Sequence, residues 1–207
     1  GNETKEYDDL ASSGSNNCAY SLWFFVDDFS VGYGSQKPIL YHVSGSSSNS
    51  LAKSDGVTVT LGDTINNLDV EVKLQTTSKI CTIPNIPIQK WIHLVVSIHG
   101  RVIDLYLNGK LVRSCLAEQV PAISTLSGQP VKIAPAIGDT NNENKTVTGF
   151  SGYHAKFEYY PEAIDPQTVY YLYRSGYGGG SFMDYLNRYQ FKLALLNNEV
   201  EESSFII

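Results

Sequence analysis

The sequence predicts an all-β fold, a sandwich of two antiparallel sheets with one short helix in its C-terminal part. Three observations support this prediction: the composition, the alternation of apolar and polar residues, and the many turn residues between short apolar runs. The 207 residues are 42% hydrophobic and only 17% charged, which is typical of a globular chain. Glycine, serine, threonine, asparagine and tyrosine outnumber the strong helix formers, which favours strands over helices.

The charge of the chain excludes some classes of partner. The net charge is −6 and the isoelectric point is about 5.1, whereas a general nucleic-acid binder needs a basic surface that displaces counterions from phosphate. An anionic membrane surface is disfavoured for the same reason. No run of eighteen apolar residues occurs, so we expect no membrane-spanning segment within this stretch.

The first 17 residues are polar, rich in serine and asparagine, and without hydrophobic period. We interpret residues 1–17 as a polar linker and residues 18–207 as one domain. At this length a second full domain is not expected.

Alternation predicts most of the strands. From Leu68 to Gln75 every second residue is apolar, and residues 57–61 repeat the pattern, as in strands with one face in a core and one in water. The runs "YSLWFFVDDF" and "PILYHVSG" are aromatic and β-branched, which indicates strands buried on both faces. Many short strands separated by turn residues are typical of a sandwich.

The stretch from Trp91 to Lys110 reads "WIHLVVSIHGRVIDLYLNGK", and its apolar parity inverts after Gly100. A two-residue loop of Gly100 and Arg101, of type II′, explains the inversion. The Asn108–Gly109 pair predicts a second tight turn, so that the region forms a three-strand meander ending near Cys115. The register places three apolar pairs on one face: Ile98 with Ile103, Val96 with Leu105, and Leu94 with Leu107.

The other face of this hairpin carries polar residues of the types found in hydrolytic and metal sites. Ser97 lies opposite Asp104, but His99 sits at the hairpin corner and would have to fold back over its own strand to activate the serine. Six residues of strand separate His93 from His99 by roughly 20 Å, too far for shared metal coordination. We therefore interpret these residues as the outward face of a hairpin, and we give His42 and His154 the same interpretation of a polar side chain on an exposed face.

The later part of the chain predicts one helix and three more strand regions. Asp165 is an N-cap followed by Pro166 at the first helical position, and Gly176 ends the helix. Its apolar stripe is Val169, Leu172 and Tyr173. Strands are predicted at "VKIAP", at "YHAKFEYY" with Tyr153, Ala155, Phe157 and Tyr159 in alternation, and in a C-terminal hairpin turning at Asn197 and Asn198.

The three cysteines are Cys18, Cys81 and Cys115, without a CxxC pair or an accompanying histidine pattern. Zinc binding is therefore not expected. Cys81 and Cys115 bracket the meander, and their spacing fits equally well a disulfide or two buried thiols.

These residues in this order resemble the concanavalin A-like lectin/glucanase superfamily, in particular its laminin-G-like branch. The tryptophan-led strand "WIHLVVSIHGRVIDLYLNGKLV" and the later "GFSGYHAKFEYY" before a short helix carry the resemblance, which covers about residues 20–173. It implies a concanavalin A-like jelly-roll sandwich.

A narrower resemblance covers nearly the whole chain. The run "CTIPNIPIQKWIHLVVSIHGRVIDLYLNGKLVRSC", then "DPQTVYYLYRSGYGGG" and the C-terminal "YQFKLALLNNEVEESSFII", is similar to laminin-G-like proteins of nucleocytoplasmic large DNA viruses. It implies a non-enzymatic structural or assembly protein of the virion, a minor capsid protein whose partners are other virion or capsid proteins. It also implies a bridge between Cys81 and Cys115, and a membrane anchor upstream of Gly1 that would place the domain at the inner membrane or under the capsid.

The alternative function is a carbohydrate-binding, lectin-like module in attachment or adhesion, which would be extracellular. Exposed aromatic residues of the loops, such as Tyr33 and Tyr153, would then stack on sugar rings. The sequons at Asn2 and Asn144 would accept glycans in such a compartment.

A glycosidase is the least favoured function. A retaining glucanase needs two carboxylates about 5 Å apart on one strand face. The superfamily's Glu-x-Asp-x-x-Glu motif is absent. Glu6 and Asp8 match its first two acidic positions, but Ala11 stands at the position of the second glutamate. Asp69 and Glu71 share a strand face without a third carboxylate in phase, so we predict no catalytic residues.

Metal and phosphate sites are also disfavoured. The oxygen-rich run "GDTNNENKT", with Asp139, Asn141, Asn142 and Glu143, leaves calcium as a weaker hypothesis, but it lacks the spacing of a defined calcium loop. "RSGYGGGS" follows a helix C-terminus, where the carbonyl groups repel anions, and is interpreted as a C-cap with a flexible link. No cofactor is predicted.

Overall fold

The structure is a computed structural model of the chain. The structure describes residues 5–7, 16–43, 56–126, 129–134, 137–138, 146–147, 149–178, 192–197 and 200–206. Its contacts divide the chain into two compact units, residues 1–177 and 178–207.

The first unit is a sandwich of two antiparallel sheets, as the sequence predicts. The six-stranded sheet has the order β1-β10-β3-β4-β5-β6. Its strands are β1 Lys5–Tyr7, β3 Lys37–Val43, β4 Gly56–Leu61, β5 Leu68–Lys73, β6 Ser78–Ile83 and β10 Val131–Ile133.

The second sheet has five strands in the order β13-β2-β7-β8-β9. Its strands are β2 Cys18–Asp28, β7 Trp91–His99, β8 Val102–Leu107, β9 Lys110–Leu116 and β13 Ser151–Tyr160. A two-stranded ladder pairs β11 Ile137–Gly138 with β12 Thr146–Val147, and the short helices of the unit are a 3-10 turn, Ile123–Leu126, and α1, Pro166–Arg174.

The core lies between the two sheets and is built from alternate residues of their strands. In the five-stranded sheet the inward residues of β2 and β7 are fully or nearly fully buried: Tyr20, Leu22, Phe24, Val26, Ile92, Leu94, Val96 and Ile98. Those of β4 and β5 face them from the other sheet: Val57, Val59, Leu61, Leu68, Val70 and Val72. Burial of this much apolar surface is the main stabilising contribution to the fold.

The predicted meander is confirmed in register. Ile98 pairs with Ile103 and Ser97 with Asp104, as the two-residue loop requires. Gly100 has φ +58°, which suits the first loop position of a type II′ turn. Asn108 and Gly109 both have positive φ, 50° and 77°, as a type I′ turn requires.

The strand β13 departs from the predicted alternation because it contains a bulge. Lys156 adopts φ +49°, and the pairing with β2 shifts between Ala155 and Glu158. The bulge reverses the phase of the strand, so Tyr153 faces outward while Phe157 and Tyr159 pack against the core. A bulge of this kind is not readable from an alternating sequence pattern.

The helix α1 matches its prediction in both position and capping. The Asp165 Oδ1 atom accepts hydrogen bonds from the amides of Gln167 and Thr168 at 2.8 and 3.0 Å, and Gly176 follows the helix with φ +73°. Val169 is fully buried against Val95 and Tyr106, which places the helix on the outer face of the five-stranded sheet.

Part of the segment interpreted as a linker belongs to the sandwich. The strand β1 pairs with β10, and Lys5 lies opposite Ile133. Three polar residues are too few to display a periodicity, which is why the sequence pattern does not reveal this edge strand.

The second unit contains the predicted C-terminal hairpin. Its strands are β14 Lys192–Asn197 and β15 Val200–Ile206, and Asn197 pairs with Val200. The hairpin forms a unit of its own, whereas the sequence interpretation had included it in the domain over 18–207. In the described part of the chain, no helix combines the length and apolarity needed to cross a bilayer.

Candidate functional site

The outer face of the five-stranded sheet carries an unusual number of aromatic residues. On β2 the outward positions include Trp23 and Phe25, which lie opposite His93 and Trp91 of β7. On the other side of β2, Phe25 pairs with Tyr153 of β13. Three neighbouring strands therefore place aromatic side chains side by side on one surface.

We call the exposed part of this surface the aromatic row: Tyr153, Phe25, Trp91 and Tyr177. Successive ring centroids are 6.1 Å apart for Tyr153 and Phe25, 5.8 Å for Phe25 and Trp91, and 4.3 Å for Trp91 and Tyr177. Tyr153 is 63% exposed and Tyr177 46% exposed. Clustered exposed aromatic rings are typical of binding surfaces, because they offer much apolar contact area at a small cost in side-chain entropy.

A buried pair of rings lies beside the row. Trp23 and His93 stack with their centroids 4.9 Å apart, and Tyr173 of the helix stacks on Trp23 at 5.7 Å. The hydroxyl of Ser21 lies 3.0 Å from the Nε2 atom of His93. Within the part of the chain that the structure describes, His93 Nδ1 and Trp23 Nε1 are buried without a hydrogen-bond partner.

His93 is neutral at physiological pH. Burial lowers its pKa to about 4, and the positive charge of Lys156 acts in the same direction. The Lys156 side chain extends from the bulge of β13 to the end of α1, where its ammonium donates to the hydroxyl of Ser175 and to the carbonyl of Gly176. A cation at this end of a helix complements the helix dipole.

The two aromatic residues predicted to bind sugar lie on different parts of the surface. Tyr153 belongs to the aromatic row. Tyr33 is 65% exposed in the loop after β2, where the neighbouring Gly34 amide donates to the carbonyl of Asp63 at 3.0 Å. That bond attaches the loop to a turn of the six-stranded sheet.

Cys81 and Cys115 are brought together as a disulfide with their Cα atoms 6.3 Å apart, inside the range such bonds require. They lie on β6 and β9, which are edge strands of opposite sheets. The third cysteine, Cys18, is a buried free thiol.

The candidate serine of the hairpin, Ser97, forms hydrogen bonds with the backbone. The Ser97 hydroxyl accepts from the amide of Ile164 at 3.1 Å and donates to the carbonyl of the same residue at 3.2 Å. Ser97 thus positions the segment before α1, while His99 is exposed at the corner of the hairpin. Ser97 and His99 are therefore not placed as a nucleophile and its general base.

The interpretation of this hairpin face as exposed is wrong. His93 and Ser97 are only 1% and 4% exposed, because α1 and its flanking residues cover the face. The sequence predicts the helix, but it does not indicate that the helix packs on this face of the hairpin.

His42 is likewise buried, 1% exposed, where an exposed position was expected. Its Nδ1 atom lies 2.8 Å from the hydroxyl of Tyr20, and its Nε2 atom lies 3.3 and 3.1 Å from the carbonyl oxygens of Leu126 and Gln129. Burial lowers the pKa of His42 to about 4. A ring with partners on both nitrogens explains why a histidine is tolerated in the core.

Asp69 and Glu71 lie on the outer face of the six-stranded sheet, opposite Thr60 and Thr58 of β4. The hydroxyl of Thr82 donates to the Asp69 carboxylate at 2.5 Å, so this carboxylate is engaged in a cross-strand hydrogen bond. Both carboxylates are half-buried, and Glu71 lies between Thr58 and Ile80 of the neighbouring strands.

Several predicted residues fall outside the described part of the chain. These are the calcium candidates Asp139, Asn141, Asn142 and Glu143 and the sequon residues Asn2 and Asn144. Among the described residues no group of three histidine, cysteine, aspartate or glutamate side chains is placed to bind a metal.

Sequence reasoning missed Phe25, Trp91 and Tyr177 as surface residues. The signal for Phe25 is present in "YSLWFFVDDF", where aromatic residues occupy both parities of a strand. A strand of this kind has an aromatic outer face. Whether that face is exposed to solvent depends on how far the helix covers the sheet.

Comparisons with known structures agree with this architecture. The receptor-binding domain of botulinum neurotoxin C/D mosaic serotype superposes with a TM-score of 0.55, at 13% identity, over 77% of this chain and 36% of that one. The binding domain of botulinum neurotoxin DC in complex with rat synaptotagmin II superposes with a TM-score of 0.53, at 12% identity, over 77% of this chain and 35% of that one. A structure of botulinum neurotoxin type C, described as dependent for cell entry upon interaction with two ganglioside molecules, superposes with a TM-score of 0.56. The identity is 14%, over 79% of this chain and 36% of that one.

These similarities, at such low identity, concern the fold, and the chain spans about a third of the length of those chains. No curated protein sequence matches the chain significantly. A laminin G sequence model, described as Concanavalin A-like lectin/glucanases superfamily, matches residues 3–170. The chain therefore belongs to the concanavalin A-like lectin/glucanases superfamily.

Proposed function

We propose that the protein is a non-catalytic recognition module that binds a glycan through Tyr153, Phe25 and Trp91 of the aromatic row. The observation that carries the proposal is the continuity of Tyr153, Phe25 and Trp91 over three adjacent strands. The C–H face of a sugar ring is apolar and packs on an aromatic ring, while its hydroxyls bond to polar groups at the edge. A row of half-exposed rings fits such a ligand.

Two further observations support this proposal. The botulinum neurotoxin domains of the same fold include one described in complex with SialylT and one described with gangliosides. The carboxylate set of a retaining glucanase is missing from the sequence, and Asp69 is occupied by Thr82, which favours binding over hydrolysis.

The test is a glycan-array screen followed by titration of Tyr153→Ala. Tyr153 is 63% exposed, so the substitution removes a ring without opening the core. We expect affinity to fall about tenfold, or about 1.4 kcal/mol. Tyr171→Ala is the matched control, since Tyr171 is 62% exposed on α1 outside the row. Absence of glycan binding at high protein concentration refutes the proposal.

A second candidate is a structural or assembly role in the particle of a large DNA virus. It rests on the resemblance of the sequence to laminin-G-like proteins of nucleocytoplasmic large DNA viruses. In this role the aromatic row binds another virion or capsid protein, and the domain lies in the virion, under the capsid or at the inner membrane. Recovery of the protein from purified particles at a fixed stoichiometry supports this role, and its absence from them refutes it.

A further inference from the structure

One ring of the aromatic row differs from the others in its position. Tyr177 lies over Trp91 with a centroid distance of 4.3 Å and an interplanar angle of 13°. It also contacts Trp23, at 5.6 Å and 60°. Tyr177 therefore occupies the face of Trp91 on which a ligand ring would stack.

The attachment of Tyr177 allows it to move. It follows the end of α1 and stands between Gly176, with φ +73°, and Gly178, and a methyl group added at either glycine would meet nothing within 4 Å. The ring is 46% exposed. Flanking glycines permit backbone conformations that other residues rarely adopt, so Tyr177 can leave its stack without disturbing the helix.

Trp23, which Tyr177 contacts, belongs to a buried polar floor. The Trp23 ring stacks on His93, and these two rings hold the two buried nitrogens that lack a partner within the described part of the chain. Trp23 Nε1 is a donor, and His93 Nδ1 is a donor or an acceptor according to its tautomer. Because a buried polar group without a partner is costly, a ligand that reaches this floor gains by bonding to both nitrogens.

The chemistry of the floor selects the class of ligand. A sugar hydroxyl both donates and accepts, so adjacent hydroxyls on one ring satisfy either tautomer of His93 together with the Trp23 donor. A cationic group at this floor would be repelled by the positive charge of Lys156, which already acts on His93, and burying any charge costs desolvation free energy. A neutral sugar fits this floor better than an amino sugar.

We infer that Tyr177 is a displaceable cover over Trp91 and Trp23, and that a neutral sugar ring replaces it, stacking on Trp91 and bonding to Trp23 Nε1 and His93 Nδ1. This inference rests on the proposed glycan binding. It adds that Tyr177 competes with the ligand, whereas Tyr153 contributes to binding.

The experiment compares Tyr177→Ala with the native chain, using lactose, maltotetraose and cellotetraose as neutral probes together with any neutral glycan found on the array. The chain has two tryptophans, Trp23 and Trp91, and both lie at this site. Tryptophan fluorescence therefore reports on this site alone. We expect Tyr177→Ala to bind about threefold to tenfold more tightly, because the competing stack is gone. Tyr177→Phe, which keeps the ring, and Tyr171→Ala, which lies outside the row, should bind like the native chain.

A measurement without ligand checks the cover directly. Acrylamide should quench tryptophan fluorescence more strongly in Tyr177→Ala than in the native chain, and an unchanged quenching constant overturns the inference. Weaker or unchanged sugar binding by Tyr177→Ala, with Tyr153→Ala still impaired, also overturns it and leaves the proposed function standing. If neither the native chain nor Tyr177→Ala binds any glycan, the proposed function fails and this inference fails with it.

Discussion

Cys81 on the edge strand β6 is bonded to Cys115 on the edge strand β9, so one covalent link joins the two sheets of the sandwich. The residues are 34 apart in sequence, and the loop that they close includes β7 and β8. Closing a loop of this length restricts the unfolded chain and stabilises the native state by about 3 to 4 kcal/mol in the chain-entropy model.

The first prediction concerns this bond. The double variant Cys81→Ser with Cys115→Ser should unfold at lower urea concentration than the native chain, by about 3 kcal/mol in the free energy of unfolding. Alkylation under denaturing conditions should label one thiol, Cys18, before reduction and three after it, as read by mass spectrometry. Labelling of three thiols without reduction would refute the bridge.

The second prediction concerns the pH dependence of stability. Burial lowers the pKa values of His42 and His93 to about 4, from about 6.5 for an unfolded histidine. Between these values the unfolded chain binds more protons than the folded one, so the free energy of unfolding decreases as the pH falls from 6.5 to 4. Above about pH 7.5 both rings are largely neutral in both states, and their contribution to stability is nearly constant.

The substitution His93→Phe tests this pH dependence and keeps an aromatic ring against Trp23. It should reduce the slope of the unfolding free energy against pH in this window by up to about 1.4 kcal/mol per pH unit, the effect of one proton. The exposed His99 provides the control, since His99→Gln should leave the slope unchanged. A slope in His93→Phe equal to that of the native chain contradicts the assignment.

The third prediction concerns the cap of α1. Asp165→Ala removes the acceptor for the amides of Gln167 and Thr168 and should lower the melting temperature by a few degrees. Asp165→Asn keeps a side-chain oxygen at the same place and should lie close to the native value. Equal losses in the two variants would show that charge and not capping is responsible.

The fourth prediction concerns the close approach of β13 to β2. A Cβ atom on Gly152 would lie 1.8 Å from the carbonyl oxygen of Phe25, so Gly152→Ala should force the strands apart and cost about 2 kcal/mol or more in unfolding free energy. Because Phe25 pairs with Gly152's neighbour Tyr153, glycan binding should weaken as well. Gly178→Ala, where nothing lies within 4 Å, is the neutral control for stability, and a Gly152→Ala variant of native stability would contradict the geometry.

The sequence predicts the strands well wherever alternation or turn chemistry dictates the local structure. The meander is the clearest case, because the Gly100 turn fixes the pairing of β7 with β8 residue by residue. The Asn108–Gly109 turn fixes the start of the β8–β9 ladder, whose register then shifts between Leu105 and Tyr106. The helix was equally predictable, since Asp165, Pro166 and Gly176 mark both of its ends. These features depend on neighbours in sequence.

The site was less predictable because it depends on packing between distant segments. Nothing in the local pattern indicates that α1 covers His93 and Ser97, or that the bulge at Lys156 separates Tyr153 from Phe157. Tyr153 was identified as a candidate from its residue type, and its neighbours Phe25 and Trp91 become visible only once β2 is paired on both sides. Tyr33 was identified on the same ground, but it lies in the loop after β2 and outside the aromatic row.

The strand order has a consequence for how the protein folds. The strands β7, β8 and β9 follow one another along the chain and can pair early, whereas β2 and β13 are separated by most of the domain. Pairing of segments so distant in sequence is slow, since the entropy of closing the long loop is lost before the contacts form. The aromatic row crosses the pairing of β2 with β13, which forms late. The row is therefore complete only in fully folded molecules, and partly folded chains do not present it.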